Sequence, residues 1–240
     1  MKLIDTKQRE KIHFEIFQER YCQFQNYDHI DIPDFVVSLN NETIGIEFTE
    51  IYNDDKLNGK TLREDEAIKE RIVEWARKKA IENNVPPLHV NVVFSGSVSK
   101  EAESQVKSLL YQIIKDNIPQ PGEPITLDSM NDDIDSTFWS IVIFNLKGGK
   151  KHVWDYTECS DVETNFSKQL QSKIDSKAEK ISKYLMKCNK CWLVIVALGY
   201  SGSSFFEFSE EMENCTYKSP FDKVFFIEVF SKYFKELKLN

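Results

Sequence analysis

The sequence predicts an α/β fold with a mixed central sheet flanked by helices. Three observations predict it. A short hairpin of alternating apolar residues comes early, over 34–49. Segments with helical spacing then alternate with apolar runs of strand length. The runs at 138–146, 191–199 and 222–230 are apolar on both faces, as in central strands covered by helices.

Composition supports a folded chain. Hydrophobic residues make up 41% of the 240 positions and only 8 are Gly, so a substantial core forms without a loop-rich scaffold. No apolar run approaches the roughly 20 residues that span a bilayer. The opening MKLIDTKQREK lacks the apolar stretch of a secretory signal, so the expected compartment is the cytoplasm. The net charge of -8 disfavours broad nonspecific nucleic-acid binding but leaves room for a local basic groove.

The elements follow in order. Residues 6–25 read as a helix with Phe14, Phe17, Tyr21 and Phe24 on one face. Glu10, four residues before Phe14, shares that face. Residues 34–39 and 42–49 are strands joined by Asn40-Asn41, a tight hairpin turn. Ile44, Ile46 and Phe48 lie on one face of the second strand. Thr43, Gly45, Glu47 and Thr49 lie on the other, where Gly45 leaves space beside Glu47. A helix is expected over 62–83, a strand over 88–95 and a helix over 99–117. Residues 118–137 read as a loop. After the 138–146 strand, 162–187 is helical, 191–199 and 222–230 are strands, and a short helix closes the chain.

The hairpin carries the chemistry. With a two-residue turn, Leu39 faces Glu42, and five further steps place Asp34 opposite Glu47. Like charges on adjacent strands are destabilising unless compensated, and a divalent cation is the simplest compensation. Magnesium takes hard oxygen ligands, commonly one or two carboxylates with waters. The plainer alternative is a pair of acids at a solvated strand end.

Pro33-Asp34 followed by Glu47-Phe48-Thr49, after a helix bearing Glu10, resembles the PD-(D/E)XK nuclease superfamily, the restriction-endonuclease-like fold. That family's core is helix, three strands, helix, strand. Residues 6–95 follow this order if a short first strand lies within 27–32. Residues 96–240 would then elaborate the same sheet or form a small subdomain of one 1–240 domain. The resemblance implies that Asp34 and Glu47 bind magnesium or manganese, with Glu10 and the Phe48 carbonyl assisting, and that water attacks a phosphodiester. It implies a nucleic-acid partner, DNA first, with no membrane and with a homodimer left open. The departure is Thr49, where the family has a lysine. Thr has no positive charge to replace it. Either a lysine from another element, Lys69 or Lys177 (Lys180 as a neighbour of the latter), reaches the site. Or the chain is a catalytically inactive protein- or nucleic-acid-binding module. Glu50 points to the face opposite Glu47.

Other signals are weaker. Cys22, Cys159, Cys188, Cys191 and Cys215 form no disulfide framework. Cys188-Asn189-Lys190-Cys191 lacks the second ligand pair of a zinc site and reads as a helix end feeding a strand. Gly199-Tyr200-Ser201-Gly202 lacks the phosphate-loop pattern. His13, His29, His89 and His152 show no HxxxH spacing. Lys147, Lys150 and Lys151 form a basic turn, with Trp154 behind it as a candidate stacking surface.

Overall fold

A computed structural model describes residues 5–53, 56–57, 60–132, 134–149, 151–157, 162–199 and 201–240. Lys150, Cys159 and Tyr200 lie outside the described residues. The fold is mixed α/β, and the chain forms two compact units, Met1–Asn53 with Asp161–Asn240, and Asp54–Ser160. The expected division at residue 95 is therefore not the division the structure has.

Unit 1 begins with α1 (Thr6–Arg20), whose N-cap Asp5 accepts a hydrogen bond from the Gln8 N–H. The helix stops at Arg20, short of the expected 25. Phe24 leaves it but stays in the core, its N–H bonded to Gln18 Oε1 at 3.0 Å and its ring stacked near Phe14. Next come β1 (Tyr27–His29), β2 (Phe35–Leu39) and β3 (Glu42–Glu50), all antiparallel. The turn between β2 and β3 places both Asn40 and Asn41 at positive φ (52° and 66°), the primed turn that suits the strand twist. Its register pairs Leu39 with Glu42 and Phe35 with Ile46, as the turn length dictates.

Unit 2 follows. It comprises β4 (Lys56–Leu57), β5 (Lys60–Thr61), α2 (Leu62–Glu82), β6 (Leu88–Phe94), α3 (Glu103–Asp116), β7 (Pro124–Asp128), β8 (Phe138–Asn145) and β9 (Val153–Thr157). A capping box between Thr61 and Glu64 starts α2. The four-stranded sheet has the order β7-β8-β6-β9. Ile68, Ile72 and Ala76 of α2 and Val106, Leu110 and Ile114 of α3 share a core with Val90, Val92, Ile141 and Ile143. Two strands here depart from expectation. Residues 124–128 are a strand rather than loop, because Ile125 and Leu127 alternate into register with Ile143 and Ile141. Residues 153–157 pair parallel with β6. The 138–146 run is not apolar-buried on both faces. It alternates, leaving Trp139 and Val142 exposed.

The chain then returns to unit 1 with α4 (Ser167–Ala178), α5 (Ile181–Tyr184), β10 (Lys190–Ala197), a 3-10 turn (Gly202–Ser204), α6 (Glu210–Glu213), β11 (Thr216–Tyr217), β12 (Lys223–Glu228), β13 (Tyr233–Glu236) and β14 (Lys238–Leu239). The expected closing helix is thus two strands. Phe234 and Tyr233 alternate onto opposite faces beside β12, a period of two rather than 3.6. The unit 1 sheet has the order β1-β2-β3-β10-β12-β13, with β10 parallel to both β3 and β12. One face packs Phe14 and Phe17 of α1 against Phe35, Phe48 and Phe225. The other packs Leu170 and Ile174 of α4 and Tyr184 of α5 against Leu193, Ile195 and Phe226. The helix and strand that complete this sheet after the hairpin are α4 and β10. They are not α2 and β6, which belong to unit 2.

Candidate functional site

Both acids of the hairpin are buried in unit 1. Glu47 is 6% exposed and Asp34 8%, although each carries a carboxyl group. Asp34 lies one step beyond the last β2–β3 pair, which places it opposite Glu47 in the register. Its Oδ2 accepts the Phe48 N–H at 2.8 Å. Burial, and then the charge of Glu47, push the Asp34 carboxyl up to about 7, against the pull of the Phe48 N–H and the Lys177 ammonium.

Glu47 occurs in β3 between flanking strands, on the face covered by α4 and α5. Lys177, in the last turn of α4, donates to Glu47 Oε1 at 2.7 Å. Thr49 stays in β3, paired with Ile195, and a lysine 130 residues beyond Glu47 in sequence supplies the positive charge. Lys180 is exposed and makes no such contact. Lys69, the other lysine predicted for this role, lies on α2 of unit 2. Its ammonium pairs with Asp65 at 2.6 Å, the i,i+4 neighbour on its own helix.

The remaining predicted ligands divide. Glu10 is near enough to Asp34 for its charge to raise that carboxyl. Its Oε2, however, is held by His29 Nε2 at 2.8 Å and by Lys7 at 3.2 Å. The His29 ring in turn stacks on Phe35, 4.2 Å away. The Phe48 N–H donates to Asp34. Glu50 turns to the α1 side, where Arg9, His13 and Tyr52 contact it. Among the described residues no three His, Cys, Asp or Glu side chains converge as a metal-holding group.

Gly45 does not open space beside Glu47. A Cβ there would lie 2.7 Å from both Cys188 Sγ and Pro33 Cγ, so the strand and the segment between α5 and β10 are in direct contact. Cys188 Sγ bonds to the Tyr184 carbonyl at 3.2 Å and lies 3.3 Å from Cys191 Sγ, both as free thiols. Burial pushes the Cys191 thiol up, which leaves it poorly nucleophilic. The CxxC is the helix-to-strand junction, as its sequence indicated.

Comparison with protein-family models, with curated proteins and with solved structures finds no match for this chain. What the site can do therefore rests on its own atoms. Two buried acids, Asp34 and Glu47, meet one ammonium, Lys177, and burial followed by the Glu47 charge raises the Asp34 carboxyl. Such hard-oxygen donors fit a magnesium-like ion completed by waters.

Sequence reasoning missed Tyr184. Its ring is buried at 1% exposure, and its hydroxyl approaches Glu47 without a hydrogen bond of normal geometry. Burial, and then the adjacent Glu47 carboxylate, push that phenol up. No residue pattern in the sequence marks it. The basic turn, by contrast, loses its proposed aromatic platform. Trp154 is buried, with Nε1 3.3 Å from His152 Nδ1. No described helix is long and apolar enough to cross a membrane.

Proposed function

We propose that this chain is a metal-dependent phosphodiesterase acting on DNA, of the restriction-endonuclease-like class. The observation that carries the reading is Lys177 on Glu47 at 2.7 Å, which supplies the cation that Thr49 cannot. The element order of unit 1 adds support. With 54–160 set aside, α1, β1–β3, α4 and β10 run helix, three strands, helix, strand.

Asp34 and Glu47 would hold the ion. Bound magnesium or manganese supplies Lewis-acid stabilisation and a more acidic water. Lys177 serves as the donor to the non-bridging phosphate oxygens, where negative charge grows as the water oxygen bonds to phosphorus and the bond to the leaving sugar oxygen breaks. Glu10, paired with His29, tunes Asp34 through space rather than as a ligand.

Calorimetric titration with manganous chloride tests the site. The native chain is expected to bind, and Asp34→Ala and Glu47→Ala to lose binding. Cleavage of plasmid DNA tests the chemistry, with Lys177→Met expected to slow it by about 10²–10³-fold. A second reading, an inactive nucleic-acid- or protein-binding module, draws support from the occupied state of Glu47 and from the lack, among the described residues, of a third acid, His or Cys converging with Asp34 and Glu47. Ion binding without any cleavage of DNA favours that second reading.

A further inference from the structure

A buried hydroxyl without a partner is costly, and native interiors rarely keep one. Among the described side chains only Tyr184 and Tyr217 carry such an atom, and Tyr184 stands beside the candidate site. Its place is fixed by packing and by one backbone contact. It packs in the core under the sheet, lies 6.2 Å from the Phe221 ring, and its carbonyl takes the Cys188 thiol. Cys188 in turn touches Gly45, which shares a strand face with Glu47. These contacts hold the side chain under the sheet on the Glu47 face, and the phenol interacts with the Glu47 carboxylate short of a hydrogen bond of normal geometry.

Lys177 now occupies Glu47 Oε1. A cation held by Asp34 and Glu47 has the same sign as the Lys177 ammonium and repels it. Freed from Glu47, Lys177 becomes available to an anionic substrate, and Glu47 loses its donor. A phenol is neutral, so it donates to a carboxylate without opposing the ion. We infer that Tyr184 is a positioning residue whose hydroxyl takes over the Glu47 carboxylate when a divalent cation binds. This rests on the reading of Asp34 and Glu47 as a cation site. Hydrogen-bonded supports of this kind typically change metal affinity by about 10–100-fold when removed.

The test uses the full chain, with manganous chloride as the probe, and compares native, Tyr184→Phe and Lys177→Met proteins. The Phe variant keeps the ring and removes only the unpartnered oxygen. Its manganese affinity is expected to fall about tenfold. Its melting temperature without metal should equal or exceed that of the native chain, because no hydrogen bond of normal geometry is lost and a buried hydroxyl is removed. A structural role would lower the metal-free melting temperature and leave affinity alone, and that result overturns the inference. Unchanged affinity in Tyr184→Phe overturns it too. Lys177→Met gives an independent check, since binding at least as tight as native is expected. Loss of binding there would make the lysine, not the tyrosine, the support of Glu47. Failure of the native chain to bind manganese removes the cation site itself, a result distinct from a normal native titration with an indifferent Tyr184→Phe.

Discussion

Asp34 is a carboxyl group that folding makes harder to ionise. Its ordinary value of 3.8 rises to about 7, chiefly through burial and the Glu47 charge. Between those values the folded chain binds more protons than the unfolded chain, so stability falls as pH rises through that window. Asp34→Asn keeps an acceptor for the Phe48 N–H and removes the charge. It should flatten stability between about pH 4 and pH 7, and at pH 8 should exceed the native protein by an amount of the order of 2 kcal/mol. Urea denaturation across this range measures both, and an unaltered pH slope would refute the assignment. Gly45→Ala should act in the opposite direction. Its methyl meets Cys188 and Pro33 at 2.7 Å, an overpacking that costs about 1–3 kcal/mol. At this scale the acid pair was legible because a two-residue turn fixes every opposite pair back to Asp34. Lys177 was visible only as one lysine among several, since nothing local in α4 says which lysine reaches a strand 130 residues away.

The hairpin is the element that makes the pair. Asn40 and Asn41 both adopt positive φ, which costs an ordinary L-residue about 1–2 kcal/mol and costs Asn less. Replacing both with Ala should therefore destabilise the chain by about 2 kcal/mol. Asn41→Gly should be tolerated, and the midpoints of urea unfolding decide between these outcomes. Elements with strong local signatures were readable in the sequence: the Asn-Asn hairpin, the capped α2 and the doubly buried β10 and β12. The strands at 124–128, 153–157 and 233–236 were not. Each is short, and each alternates through only two or three residues. Their strand character comes from pairing with β8, β6 and β12 rather than from their own composition.

At the scale of the whole chain, unit 2 is inserted between β3 and α4 of unit 1. The points of departure and return are adjacent, since Asn53 Nδ2 lies 3.5 Å from Glu163 Oε2. Each unit has its own buried clusters. Replacing 54–160 by a Gly/Ser linker of about six residues should leave unit 1 folded. Cooperative urea unfolding and retained near-ultraviolet dichroism from the aromatic cluster of α1 would establish this. A noncooperative, expanded chain would contradict it. The sequence did not reveal this arrangement, because an inserted unit reads as a simple continuation of alternating helices and strands. Which strand joins which sheet is settled by long-range packing, not by order along the chain.

The pairing of β3 with β10 has a consequence for the chain as it is made. The ribosome releases β3 with its hairpin partner long before β10 exists. At about 5–20 residues per second, the gap is on the order of ten seconds. Through that interval one edge of β3 is open, and an open apolar edge invites pairing with neighbouring nascent chains. Glu47 is on that edge strand from the start. An inward-pointing charge is a known guard against such pairing. The carboxylate proposed to hold an ion in the finished protein thus also protects the unfinished one, until β10 arrives and Lys177 closes over it.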